Sequence, residues 1–159
     1  MRMKKLFVTT FGQSDGLRGR LTDKGRAQSE RLANKLAPFV ENETVYIFSP
    51  SYNGPIHETA NLVRARLKNV AKATFLLYVN DDSMSNIWRI LDMIYHYQND
   101  IIVLIMNPTE INRFTTYFCE DNKIPVSLKM RLGYCCGYAI DCVAKNCSLI
   151  DLAQPAEED

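Results

Sequence analysis

Short apolar runs rich in β-branched and aromatic side chains alternate with stretches of helical periodicity along almost the whole chain, and this alternation limits the fold more than any other feature. The runs are Lys5–Thr9, Val45–Phe48, Thr74–Tyr78 and Ile101–Met106, each of a length that suits a buried strand. Between the first two, Ala27, Leu32, Leu36 and Phe39 recur at helical spacing behind a Thr22-Asp23 start signal, which predicts a helix over Thr22–Phe39. Further helices are expected over Ile56–Leu67 and over Ser83–Tyr97, where Ile87, Ile90, Leu91 and Ile94 share one side. A fourth should run from Pro108 or Thr109 to near Phe118, since proline suits a first helical turn. Strands and helices in this order predict an α/β fold, a three-layer αβα sandwich with a mainly parallel central sheet. Ligands of such folds gather at the carboxyl ends of the strands. The segments that follow those ends are Thr10–Arg20, Ser49–Pro55, Asn80–Ser83 and Asn107–Thr109.

Near the end of the chain, Gly133–Cys142 and Ser148–Leu152 read as two more strands around a turn at Lys145-Asn146. Residues 1–152 are the length of a single domain, and Ala153–Asp159, with a proline and three acids, is expected to be a disordered tail. A formal net charge of +1 recommends neither nucleic acid nor an anionic membrane as a partner. No run approaches the roughly 20 apolar residues that cross a bilayer. The apolar stretch behind Met1-Arg2-Met3-Lys4-Lys5 stops at Val8, too short for a signal-peptide core, so a cytoplasmic protein is expected. The five cysteines, Cys119, Cys135, Cys136, Cys142 and Cys147, are an odd number without an export signal and read as reduced, buried thiols. Zinc is disfavoured because no paired Cys-x-x-Cys occurs and Cys135 and Cys136, in a strand-like stretch, would point to opposite faces. Neither a metal nor a cofactor is expected.

The first run continues as Leu6-Phe7-Val8-Thr9-Thr10-Phe11-Gly12-Gln13-Ser14-Asp15, and Leu21-Thr22-Asp23-Lys24-Gly25-Arg26-Ala27-Gln28 follows. A strand entering a glycine-containing turn both fixes and exposes a side chain, which suits a nucleophile. Phe11 stands there, and a phenyl ring is no nucleophile. Downstream come Phe48-Ser49-Pro50, Glu58-Thr59-Ala60 and Val103-Leu104-Ile105-Met106-Asn107-Pro108.

In order and spacing these motifs resemble those of the histidine phosphatase superfamily, the phosphoglycerate-mutase-like fold, and most closely its small phosphohistidine-phosphatase-like branch. The likeness spans roughly Lys4 to Asp151. The family's first motif, Leu-Val-Arg-His-Gly followed by Leu-Thr-Glu-Lys-Gly-Arg, is matched in its second half, while Thr10 takes the Arg position and Phe11 that of the phosphate-accepting His. In the second motif, Ser-Ser-Pro and then Arg-Ala-x-Gln/Glu-Thr-Ala, the phosphate-gripping Arg falls near Pro55. The last, an apolar strand ending in Gly-His-Asn-Pro, has Met106 in place of the second His. The resemblance implies a reaction in which one His attacks the phosphoryl group, the Arg residues and the second His neutralise its oxygens, and a carboxyl group protonates the leaving oxygen. Losing both the nucleophile and the neutralising charge should leave activity near background.

The expectation is therefore a catalytically inactive protein of this fold with a binding or regulatory role, its ligand phosphorylated or otherwise anionic. Gln13, Ser14, Arg18, Arg20, Ser51, His57 and Asn107 are the candidate anion-binding residues, with Thr10 beside them and helix starts adding backbone donors. A solvated polar loop is the plainer reading of Arg18 and Arg20. His57 reads as a rim residue, His96 as a helix-end residue suited to the dipole, and Asp81 with Asp82 as turn chemistry. One rival is an active phosphatase with a rebuilt site using His57. Another is a structural subunit whose pocket is plugged by Phe11 and Met106 facing each other, and which assembles with itself or another protein. The same two residues could instead form an apolar ligand niche. Tyr52, Tyr95, Tyr97, Tyr134 and Tyr138 are candidates for an exposed interaction face.

Overall fold

The computed structural model describes residues 3–15, 19–50, 54–67, 72–78, 84–96 and 101–151. In chain order the elements are β1 Lys5–Thr9, α1 Asp23–Val40, β2 Thr44–Pro50, α2 Pro55–Arg66, β3 Lys72–Tyr78, α3 Met84–His96, β4 Ile101–Ile105, α4 Ile111–Asp121, β5 Gly137–Asp141 and β6 Asn146–Ile150. The strands form one sheet in the order β3-β2-β4-β1-β5-β6. Its first four strands run parallel, with Lys5 opposite Ile101 and Thr9 opposite Ile105 across β1 and β4. The last two are antiparallel additions, with Thr9 opposite Gly137 across β1 and β5.

Side chains of a strand alternate between faces, and here the alternation divides the core in two. Leu6, Val8, Phe48, Ile102, Leu104, Tyr138 and Ile140 pack on one face with Ile87, Ile90 and Ile94 of α3 and Ile111, Phe114 and Phe118 of α4. Phe7, Val45, Ile47, Ile101, Val103 and Ile105 pack on the other with Leu32, Leu36 and Val40 of α1 and Ile56, Ala60 and Val63 of α2. This is the three-layer sandwich. It explains why β4 is apolar at every position and buried throughout. Each such fully buried Leu, Ile or Phe contributes about 1.5–3 kcal/mol relative to an exposed one.

Three boundaries depart from the pattern read in the sequence. β5 begins at Gly137 rather than Gly133, because Cys135 adopts φ 52°, a left-handed conformation that no strand accommodates. Cys135 and Cys136 therefore lie before the strand, not within it. The turn falls at 142–145, and β6 starts two residues earlier than expected. Asp141 sets it, its Oδ1 accepting the N–H groups of Val143 (3.0 Å) and Ala144 (2.9 Å). Finally, α4 starts at Ile111, since the Asn107 side chain accepts the Thr109 N–H (3.0 Å) and holds 107–110 as a turn. The acidic tail, 153–159, lies outside the described residues.

Candidate functional site

The loop leaving β1 is held on every side by the chain's own polar groups. Thr22 caps α1, its hydroxyl oxygen accepting the Gly25 N–H at 3.0 Å. The same hydroxyl donates to Gln13 Oε1 (3.0 Å), and the Thr22 N–H donates to the Gln13 carbonyl (3.0 Å). Gln28 Oε1 accepts the Gln13 N–H (2.9 Å), and Thr59 Oγ1 accepts the Gly12 N–H (3.1 Å). Glu58 accepts the Leu21 N–H (2.9 Å) and pairs with Arg26 Nε (3.3 Å). The matched halves of the motifs, Leu21 to Gln28 and Glu58 to Ala60, thus build the frame around the site. Their hydrogen bonds, each worth about 0.5–1.5 kcal/mol, stay satisfied whether or not a reaction occurs.

The four positions that the resemblance marks as substituted are equally absorbed into structure. The Thr10 hydroxyl donates to the Gly133 carbonyl (2.7 Å) and accepts the Cys136 N–H (3.2 Å). Phe11 is 7% exposed and joins the core under α1 and α2, while its carbonyl accepts the Cys135 N–H (3.0 Å). Pro55 is the buried first residue of α2, where a missing N–H costs nothing. Met106 is buried in the core under α3 and α4. Phe11 and Met106 consequently do not face each other. Met106 continues the parity of Ile102 and Leu104, and Phe11 packs with the residues on the opposite face of the sheet.

Beside Phe11 the strand ends leave a cavity of about 330 Å³ lined by Thr10, Phe11, Pro108, Leu132, Gly133 and Tyr134. Phe11 lines this cavity and Met106 does not. Sequence reading missed Leu132 and Gly133, and it saw Tyr134 only as a surface aromatic. They arrive because β5 runs antiparallel to β1, so the residues before Gly137 must lie beyond the end of Thr9. Only recognition of that pairing could have found them.

Among the described residues, none of the candidate anion-binding side chains is in the lining of this cavity. Gln13 is engaged with Thr22, and Ser14 is half-buried in an antiparallel bridge to Leu21. Arg20 is exposed, its carbonyl accepting the Asp15 N–H (3.1 Å). Asn107 Oδ1 is taken up by the N–H and hydroxyl of Thr109. His57 is half-buried on the first turn of α2, with Nδ1 3.1 Å from Ser49 Oγ. Ser49 is fully buried, so this Ser–His pair presents no reachable hydroxyl. Arg18, Ser51, Asp81 and Asp82 lie outside the described residues. His96 is exposed in the last turn of α3, as its sequence position suggested.

The tyrosines do not form one face. Tyr138 is buried, its hydroxyl donating to Asn112 Oδ1 (2.7 Å), and Tyr95 is half-buried against Asp121 Oδ2 (2.8 Å). Tyr134 is exposed, while Tyr52 and Tyr97 lie outside the described residues. All five cysteines are free thiols, four of them buried and Cys147 half-buried. Cys135, next to the cavity wall, is no substitute nucleophile, because burial pushes its thiol up to about 12. Among the described residues no cluster of His, Cys, Asp or Glu is arranged to hold a metal, and no helix is long and apolar enough to cross a membrane.

A six-stranded sheet between two helix pairs, with a cavity at the carboxyl end of β1, is the architecture of the phosphoglycerate-mutase-like fold. No family model matches the chain, and comparison with curated proteins returns no match. Solved structures do. A structure proposed to be the phosphohistidine phosphatase SixA of Agrobacterium tumefaciens superposes with a TM-score of 0.63 at 14% identity, over 93% of this chain and 96% of that one. The protein histidine phosphatase SixA complexed with tungstate gives 0.55 at 15% identity, over 94% and 98%. Phosphoglycerate mutase from Plasmodium falciparum gives 0.55 at 18% identity, over 93% and 90%. The chain is thus similar over nearly its full length to small members of this fold, SixA among them.

Proposed function

We propose that this chain is a catalytically inactive protein of the histidine-phosphatase fold, acting as a binding or regulatory protein. The observation that carries this reading is Phe11. It stands two residues beyond β1, at the position the resemblance gives to the nucleophile, and walls a cavity there, while the neighbouring Thr10 hydroxyl is committed to Gly133. Phosphoryl transfer rests on a placed nucleophile and on neutralising charge, and the described lining of the cavity supplies neither. The free thiols suit a cytoplasmic setting.

A phosphorylated or anionic ligand is the form of binding suggested by the tungstate in one similar structure. In this chain it would draw on Arg20 and His57, and on Arg18 and Ser51, which lie outside the described residues. Thermal denaturation with inorganic phosphate and with tungstate tests it: a rise in midpoint that grows with anion concentration supports the anion reading, and an unchanged midpoint removes it.

The rebuilt phosphatase is the second reading, favoured by the Ser49–His57 contact alone. Phosphate release from p-nitrophenyl phosphate that vanishes in His57→Ala would establish it and end the inactive reading. Release at background in both proteins is the expected result.

A further inference from the structure

We infer that the cavity beside Phe11 binds an uncharged aromatic ring of about the size of indole; this deepens the binding role proposed above and rests on it. Its volume of about 330 Å³ falls within the range of small-ligand sites and exceeds what one phosphate needs. Of its six described lining residues, none carries a charge, and the Thr10 hydroxyl is already spent on the Gly133 carbonyl at 2.7 Å. A phosphate moved into such a lining would give up water without gaining counter-charge. A neutral ring loses little on entry. It gains apolar contact with Leu132 and Pro108 and offset or edge contacts with Phe11 and Tyr134.

The wall is also built in advance of any ligand. Thr10 holds Gly133, the Phe11 carbonyl holds the Cys135 N–H at 3.0 Å, and the Cys136 thiol bonds the Tyr134 carbonyl at 3.2 Å. These bonds fix Leu132 to Tyr134 against Phe11, so little ordering cost is left to binding. Tyr134 is 42% exposed, an aromatic ring at the cavity's edge with surface still to bury. The ring could be a free small molecule or the side chain of a peptide, since both offer the same face.

The test uses the full chain, labelled for amide NMR, titrated separately with indole, cyclohexanol, a tryptophan-containing peptide, inorganic phosphate and tungstate. Indole is expected to shift the amides of Phe11, Leu132, Gly133 and Tyr134 saturably, with cyclohexanol several-fold weaker. Tyr134→Ala, a change at an exposed position, should weaken indole about threefold or more. A stronger response to the peptide than to indole assigns the ring to a protein partner, and the reverse to a small molecule. Equal affinity for indole and cyclohexanol overturns the aromatic assignment. Silence with indole and the peptide, but shifts with phosphate or tungstate, overturns the inference and leaves the binding role standing. Silence with every probe overturns both.

Discussion

Gly12 and Gly25 touch backbone to backbone: a Cβ on Gly12 would sit 2.5 Å from the Gly25 carbonyl oxygen, and one on Gly25 would collide with the Gln13 carbonyl. The loop leaving β1 is thereby pressed against the first turn of α1, close enough for the Thr22 and Gln28 bonds to Gln13 to form. This contact accounts for a glycine inside a helix.

Gly25→Ala tests the contact. In an unobstructed helix the change would stabilise by about 0.5–1 kcal/mol. Here the added methyl meets backbone, and the expected result is a loss of about 1–3 kcal/mol in urea denaturation. A gain in stability would show that the loop does not lie against α1.

Thr10→Val keeps the side chain's shape and removes the bonds to Gly133 and Cys136. With buried polar backbone left unpaired, a destabilisation of about 1–3 kcal/mol is expected, and Thr10→Ser should recover most of it. Equal stability of the Val and Ser variants would count against the staple.

Much of this was legible in the chain. The four parallel strands and four helices follow from apolar runs and periodicity, because a β4 buried on both faces must be apolar throughout. Position along the sequence says nothing about facing, however. Phe11 and Met106 each follow a strand, and one rival reading had them meet, yet side-chain parity sends them to opposite faces. The cavity wall from Leu132 to Tyr134 was hidden for a related reason: it depends on an antiparallel pairing between elements 128 positions apart, Thr9 with Gly137, that no local pattern announces.

The thiols should separate by reactivity. Burial holds Cys135 up to about 12 and Cys142 up to about 11, whereas the adjacent Cys119 thiol, as donor, lowers the half-buried Cys147. At pH 8 a thiol at about 12 is ionised in roughly one molecule in ten thousand. Iodoacetamide followed by peptide mass mapping should therefore label Cys147 first and Cys135 only on unfolding. Equal labelling rates in the folded protein would contradict the burial of Cys135.

Asp141 links the hairpin turn to pH. Its carboxyl is held below the ordinary range, first by the Ala144 N–H and then by Lys5 and the Val143 N–H, although partial burial pushes the other way. A depressed folded pKa contributes stability that is present above the unfolded value, about 3.9, and is lost as pH falls through the folded one. Asp141→Asn keeps an acceptor for the turn and removes the titration. The wild-type advantage over this variant should shrink below about pH 4, and a constant difference across pH 2–7 would show that the charge contributes nothing.

The proposed chemical silence of the site is tested most directly by steady-state phosphatase activity of the wild-type chain against p-nitrophenyl phosphate and a phosphohistidine peptide, with an active histidine phosphatase of the same fold as the control. Turnover indistinguishable from the uncatalysed rate on both substrates is predicted. Enzyme-like turnover that co-purifies with the protein would contradict the account, and would mean that a group other than Phe11 attacks the phosphoryl group.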